Sequence, residues 1–310
     1  MKLTKRSVIA LGIEPTQGTE TVLSEATHAK LVEDLKWSPA NERMAERKPT
    51  RATFGELKKI YAGHLIEVSF SMEIKGSGVA GTAPEIGDCL KACGLSETIT
   101  ADTSVEYQPA TTGQQSATIY VWEDGDLIKL VGCMGKVTFD FSTGAIGKAS
   151  FTFTGHQKGN IAATSLPTPS YSSMVPVPLI GVAFSLGGTV DVSKLSIDLG
   201  IQVTTPDSMT SADGYGDVFI ADRNVTGSID PLAKTADAKD YLVDWKGGTE
   251  SALTTGGIGT QAGNIYTVSM PKVYNASAPK AGDRNGQVSR DLSLHALPTN
   301  GDDEFSITFT

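Results

Sequence analysis

One motif opens both halves of this chain. Lys30-Leu31-Val32-Glu33-Asp34-Leu35 is echoed by Lys194-Leu195-Ser196-Ile197-Asp198-Leu199, and the echo continues in order. Glu67-Val68-Ser69-Phe70-Ser71-Met72-Glu73-Ile74 alternates polar and apolar residues, and Asn224-Val225-Thr226-Gly227-Ser228-Ile229-Asp230 alternates more loosely at the matching place. A short helical pattern follows each. The first half closes on Phe151-Thr152-Phe153-Thr154 and the chain on Phe305-Ser306-Ile307-Thr308-Phe309-Thr310. Self-similarity of this kind predicts two related β-rich modules in tandem, and it points to a ring or a fibre before an enzyme.

The length, 310 residues, agrees with two domains, each large enough to bury its own core. Glycine at 33 residues, proline at 14 and aromatics at only 7% describe many short strands broken by turns, so the fold class is mainly β with helix in the minority. Four segments are expected: an N-terminal arm over 1–25, a first domain over 26–160, a proline-containing linker over 161–190 and a second domain over 191–310. The arm, with Gly12, Pro15 and Gly18 and no periodicity, is expected to pack on something other than the first domain's core. Pro167, Pro169, Pro176 and Pro178 make the linker stiff.

Charge narrows the function. Residues 1–160 hold 17 basic against 19 acidic side chains, and residues 161–310 hold 9 against 16. A net charge of -9 argues against sequence-specific duplex binding, which needs a basic footprint. It does not exclude DNA as cargo, because a passage along which DNA slides should hold phosphates weakly. Cys89, Cys93 and Cys133 form no disulfide framework and suit a reducing cytoplasm. The apolar stretch after Lys5 and Arg6 is cut short by Gly12, Glu14 and Pro15, so neither a signal peptide nor a membrane anchor is expected.

Along the first module, Asn41 to Arg51 reads as a long charged loop, and Phe54 to Tyr61 with Leu65 to Lys75 reads as a hairpin turning at Gly63. On the second strand Val68, Phe70, Met72 and Ile74 take one face and Glu67, Ser69, Ser71 and Glu73 the other. A helix is expected from Thr82 and Pro84 to Gly94, and another from Thr235 to Gly247 with Ala238, Tyr241, Leu242 and Trp245 as its apolar stripe.

Chemical motifs fare poorly. Gly76-Ser77-Gly78-Val79-Ala80-Gly81 has the dinucleotide-binding glycine spacing, with Glu97 downstream, but its strand alternates and Pro84 starts the helix only after the glycines end. It reads as a turn, and no cofactor is expected. Cys89 and Cys93 share a helix face without zinc or redox spacing and read as small buried apolar groups. His28, His64, His156 and His295 are scattered, so no catalytic set is nominated. Glu123-Asp124-Gly125-Asp126 and Asp302-Asp303-Glu304 read as solvated turns rather than calcium loops.

What remains is an ordered series of turn and cap residues. It comprises Gly76 to Glu85 running into Leu90-Lys91-Ala92-Cys93-Gly94-Leu95, then Val105 to Pro109, Asp124-Gly125, Gly132-Cys133-Met134-Gly135, Phe151 to Gly155, and Asn264 to Pro271. In this order they resemble the major tail tube proteins of long, non-contractile bacteriophage tails, over most of the chain.

That resemblance implies a β-sandwich with a flanking helix, assembling into rings whose inner hairpins join as a continuous barrel around the viral DNA. With two modules per chain, a sixfold lumen implies a trimer with pseudo-sixfold symmetry, a sixfold ring of single-domain chains being the alternative. Glu67, Ser69, Ser71, Glu73, Asn224, Thr226, Ser228 and Asp230 become candidates for the lumen wall. Arg43, Glu46, Arg47, Lys48 and Arg51 become candidates for the contact between rings. The implied partners are other copies of the chain, tail-tip initiator and terminator proteins, and a tape-measure protein and double-stranded DNA passing through the lumen. The implied location is the virion tail, after assembly in the host cytoplasm. Two alternatives are an adhesin or carbohydrate-binding β-sandwich, for which only Trp37, Trp122 and Trp245 are available as platforms, and the tube of a contractile injection system.

Overall fold

The computed structural model describes residues 2–3 and 5–310. Strands β1 (Ser7–Ile13), β2 (Ala29–Lys30), β3 (Glu33–Ala45) and β4 (Ile60–Glu73) precede helix α1 (Gly87–Ala92). Then come β5 (Leu95–Thr100), β6 (Ser104–Pro109), β7 (Ala117–Glu123), β8 (Asp126–Ser142), β9 (Lys148–Gln157) and β10 (Ala162–Ala163). The second half holds β11 (Phe184–Leu186), β12 (Lys194–Asp198), β13 (Gln202–Thr204), β14 (Phe219–Asp222), β15 (Thr226–Ile229) and helix α2 (Tyr241–Gly247). It ends with β16 (Ser251–Thr255), β17 (Tyr266–Asn275), β18 (Lys280–Arg284), β19 (Gln287–Ala296) and β20 (Ser306–Phe309). The fold is mainly β, as expected, and every strand pairing is antiparallel.

The strand order of the first half runs β1-β7-β8 and then β8-β9-β4-β3. That of the second runs β11-β16-β17 and then β17-β19-β15-β12. β8 serves both directions because its register shifts between Val131 and Met134, where Gly132 takes a φ of 63°. A bulge of this kind bends a strand away from one neighbour and toward another. The halves are joined twice, by β8 against β12 and by β20, which lies between β17 and β6.

Beneath this sheet runs one large apolar cluster with members from both halves, beside a smaller one of Val8, Ala10, Leu23, Ala29, Tyr120 and Trp122. Phe139 stacks on Phe305 at 5.2 Å between centroids, and Phe141 lies 6.3 Å from Tyr266. Each ring is buried, so truncation of Phe139 or Phe305 to alanine removes about 3–5 kcal/mol. The two halves share one interior.

Several expectations are corrected. Within 1–25, β1 is no outlying arm: it lies between β2 and β7, with Ile9 and Leu11 fully buried in the shared core. The four-residue apolar run Val8 to Leu11 is long enough for a strand buried on both faces. Glu14 then anchors the turn after it, accepting from Gly18 N–H (2.8 Å), Ser116 Oγ (2.6 Å), Thr118 Oγ1 (2.8 Å) and Gly132 N–H (2.9 Å). There is no hairpin at Gly63, because β4 runs straight through it; the hairpin is β3–β4, and its connection spans 46–59. Helix α1 is shorter than expected, whereas Gly94 does take the positive φ of a helix stop. Helix α2 is capped by the Asp240 side chain and ended by Gly248 rather than Gly247, and of its expected stripe only Tyr241 is buried. Among the described residues no helix is long and apolar enough to cross a membrane.

Candidate functional site

Pairing β3-β4-β9-β8 to β12-β15-β19-β17 through the β8–β12 seam makes one eight-strand wall. Because side chains alternate across a strand, register decides which residues share a face. One row of directly opposed residues runs Ser293, Ser228, Ser196, Asp140, Lys148, Glu73 across six strands. A second runs His295, Thr226, Asp198, Thr138, Ser150, Ser71, Glu33 across seven, and a third runs Lys136, Thr152, Ser69, Lys36. The rows between them are Leu294, Gly227, Ile197, Phe139, Ala149 and Met72, and Val137, Phe151 and Phe70, all turned to the core. Over these rows the wall therefore has one apolar and one polar face; the next row, Ser38, Glu67 and Thr154, ends on the buried Met134.

Of the residues singled out for a lumen, Glu67, Ser69, Ser71, Glu73, Thr226 and Ser228 lie together on the polar face. Asn224 lies just before β15, and Asp230 just beyond it. Asp230 is buried and turned aside: its carboxylate accepts from Ser193 N–H (2.8 Å), Ser193 Oγ and Lys194 N–H (3.0 Å), and it faces Arg284 at 3.4 Å. Burial pushes its carboxyl up, but these hydrogen bonds and Arg284 hold it below the ordinary range.

The polar face is less acidic than the two sequence segments suggest, because Lys36, Lys136 and Lys148 stand among Glu33, Glu67, Glu73, Asp140 and Asp198. Lys148 Nζ meets Glu33 at 2.5 Å, Ser196 Oγ donates to Asp140 at 2.8 Å, and the Ser71 and Ser150 hydroxyls are 2.9 Å apart. These partners come from strands the alternation of β4 alone does not reveal.

At one rim of the wall β3 and β4 continue as an arm. Exposed Met44 pairs with exposed Tyr61, exposed Ile60 follows, and the connection carries fully exposed Phe54. Glu46 bridges Lys48 and Lys59, both at 2.9 Å. Arg47, Lys48 and Arg51 are exposed on the connection, but Arg43 is occupied within the chain: it donates to Tyr215 and Gly214 and pairs with Asp207. These partners belong to the connection between β13 and β14, residues 205–218, which folds back over the first half. There His156 Nδ1 lies 2.6 Å from Asp213 and Nε2 lies 3.0 Å from the Gly216 carbonyl. Asp213 and Tyr215 went unnoticed in the sequence and His156 stood there only as one of four scattered histidines, since nothing local marks a contact spanning 57 to 172 positions.

At the other rim the core opens to the surface. Between the wall and the segment leading to β11 lies a groove of about 560 Å³, lined by Phe141, Leu179, Val182, Phe184, Val190 and Leu195.

The remaining motifs have structural roles. The Gly76 and Gly78 backbones press against Gly263 and Asn264, where a β-carbon on Gly76 would come within 2.0 Å of the Gly263 oxygen. Burial pushes the thiol of Cys89 up to about 12 and those of Cys93 and Cys133 well above the ordinary range, which disfavours the thiolate. Among the described residues no group of three or more His, Cys, Asp or Glu side chains has metal-binding geometry. Asp302 and Glu304 are engaged within the chain: both hold Arg223, Glu304 is buried, and the part-exposed Asp302 also accepts from Thr111 N–H at 2.9 Å and Thr111 Oγ1 at 2.5 Å.

A family model described as phage tail tube protein matches residues 4–296. No curated protein matches the chain.

Proposed function

The chain belongs to the phage tail tube protein family, and from that membership we propose that three copies close into a ring around the viral DNA. It is a structural, non-enzymatic protein of the virion tail that polymerises as the tail tube. The closure to a trimer is our reading, and the observation that carries it is the β8–β12 seam. Two four-strand sets with the same order are already joined edge to edge within one chain. The two halves are then tandem tube modules fused over a shared core, and a sixfold lumen needs three chains.

The same joint can be repeated between copies. Among the described residues β3 pairs only with β4, leaving the other edge of a 13-residue strand open. At the far end of the wall, β17 beyond Val273 and β18 offer an edge past the end of β16. Pairing the two edges between neighbours is a heterologous contact that closes a ring and leaves no wall edge free to aggregate.

In this ring the polar face lines the lumen. Glu67, Ser69, Ser71, Glu73, Thr226 and Ser228 face the DNA together with Lys36, Lys136, Lys148, Asp140 and Asp198. Mixed and mutually paired charges give phosphates little to hold, which suits a surface along which DNA slides. Glu46, Arg47, Lys48 and Arg51 on the arm contact the adjoining ring, and exchangeable ion pairs there set register at modest affinity. Tape-measure, initiator and terminator proteins are the further partners of such a tube.

Rotational averaging of end-on views of purified tubes by electron microscopy tests this reading. Threefold symmetry with six similar lobes is expected. True sixfold symmetry, with one chain per lobe, would overturn the trimer.

A further inference from the structure

We infer that the pocket between α2 and the β18–β19 hairpin binds a phosphate-type oxyanion. The pocket, of about 440 Å³, gathers Lys234 from the connection after β15, Lys239 and Tyr241 from the start of α2, Ala281 from β18 and Arg290 from β19. Three of the nine basic residues in 161–310 thus converge in a half that holds 16 acidic ones. Arg290 shares the face of β19 with Leu292 and Leu294, opposite Ser293 and His295 of the polar wall. The site therefore lies away from the proposed lumen, belongs to a single chain, and suits a small anion rather than the DNA backbone.

The other two arginines of this half are each matched by two carboxylates: Arg223 holds Asp302 and Glu304, and Arg284 holds Asp191 and Asp230. Arg290 is half-buried too, yet among the described residues it has no carboxylate partner, and its Nη1 donates only to the Ser289 carbonyl at 3.2 Å. A guanidinium withdrawn from water is costly without a compensating anion, and its fork of donors matches the oxygens of a phosphate. Lys234 likewise spends its Nζ on a carbonyl, that of Thr189 at 2.7 Å. The acids of the pocket are already engaged. Asp240 accepts from the Leu242 and Val243 N–H groups at 2.9 and 3.2 Å as the cap of α2, and Asp244 takes Lys239 at 2.8 Å. Two positive charges are left lining the pocket, which matches the charge of about −1.5 to −2 on a phosphate group at neutral pH. A neutral donor completes the set. Tyr241 is 4% exposed, and its hydroxyl is buried with no hydrogen-bond partner among the described residues. Burial and the nearby Asp244 push its pKa up, so it remains a proton donor. Buried polar groups in native proteins are almost always satisfied, and an oxyanion in this pocket would satisfy this one.

Calorimetric titration of the full chain with inorganic phosphate, at an ionic strength held constant with sodium chloride, tests the site. Saturable binding is expected. Arg290→Gln and Lys234→Gln should each weaken it by about tenfold, whereas Lys246→Gln, an equal charge change at an exposed position on α2, should leave it unaltered. Tyr241→Phe removes a hydroxyl that has no partner in the absence of the ion. It should keep the wild-type denaturation midpoint in chloride and still weaken phosphate binding, which a merely structural role for the hydroxyl would not do. Heats that do not saturate, or the same affinity in the wild type and in both glutamine variants, would overturn the site and leave its cations as solvated surface charges. Acetate binding as tightly as phosphate would overturn the phosphate assignment and make the pocket a seat for a carboxylate.

Discussion

The guanidinium carbon of Arg43 lies 3.8 Å from the centroid of the Tyr215 ring, and its Nε–H donates to the Tyr215 hydroxyl at 2.6 Å. That hydroxyl in turn donates to the Asn41 carbonyl, so the 205–218 connection is latched to the base of the arm from which it is distant in sequence. Tyr215→Phe keeps the ring over the guanidinium and removes only the hydroxyl, leaving two polar groups without their partner. We expect a loss of about 1 kcal/mol and faster amide exchange over 205–218 with the wall unchanged. Exchange at the wild-type rate would mean that the latch contributes nothing.

Gly63 tests the same docking from the other side. Its φ is 130°, and a β-carbon there would sit 1.9 Å from the Asp213 carbonyl oxygen. Gly63→Ala should therefore lower stability by more than about 1 kcal/mol and displace the 205–218 connection. A denaturation midpoint matching the wild type would refute this.

Arg223 clamps the C-terminal segment to the first half through Asp302, Glu304 and Thr111. Burial raises the Asp302 carboxyl, but its bonds from Thr111 and Arg223 outweigh burial and bring it down to about 2 from an ordinary 3.8. A carboxyl depressed by folding contributes stability above its ordinary value, and that contribution is lost as pH falls through its folded value. The thermal midpoint should fall between about pH 4 and 2. Asp302→Asn should be less stable at neutral pH and flatter over that window; parallel curves for the two proteins would exclude the clamp as a source of acid sensitivity. Arg223→Ala leaves Glu304 buried without its cation, at a cost of about 3 kcal/mol by chemical denaturation.

Reversing charge on the wall should act on passage and not on folding. Glu67 and Glu73 are half-buried on the polar face, so Glu67→Lys with Glu73→Lys should leave rings intact and slow genome ejection. The block should ease as salt rises, since each new phosphate contact adds a slope of about −0.9 to the dependence of log affinity on log salt. Ejection at the wild-type rate in low salt would remove these residues from the lumen.

Strands whose neighbours differ on their two faces were legible in the sequence. The period-two pattern of Glu67 to Ile74 identifies the core face of β4, Asp124-Gly125 marks the β7–β8 turn with φ values of 34° and 109°, and Gly94 ends α1. β1 was not, because a strand buried on both faces has no alternation and its glycine and proline neighbours look like a tail. Gly63 mimics a turn, and only Asp213, far along the chain, explains its missing side chain. Asp302 and Glu304 read as solvated turn residues until Arg223 is brought to them. On the wall, the alternation of β4 identifies four polar positions, but Lys36, Lys136, Lys148 and Asp140 join them only through registers set by other strands.

The β8–β12 seam also bears on how assembly responds to concentration. In the proposed ring every second joint is made as the chain folds, at the high effective concentration of a tethered pair. Ring formation then depends on the third power of chain concentration, where six separate modules would make it depend on the sixth. Nucleation is correspondingly less sensitive to a scarce supply of protein early in infection. On the same proposal the two halves are free to diverge: one extends its arm beyond the rim while the other folds the corresponding connection back onto the first, so the proposed ring, with six positions around its lumen, would present only three arms to the next.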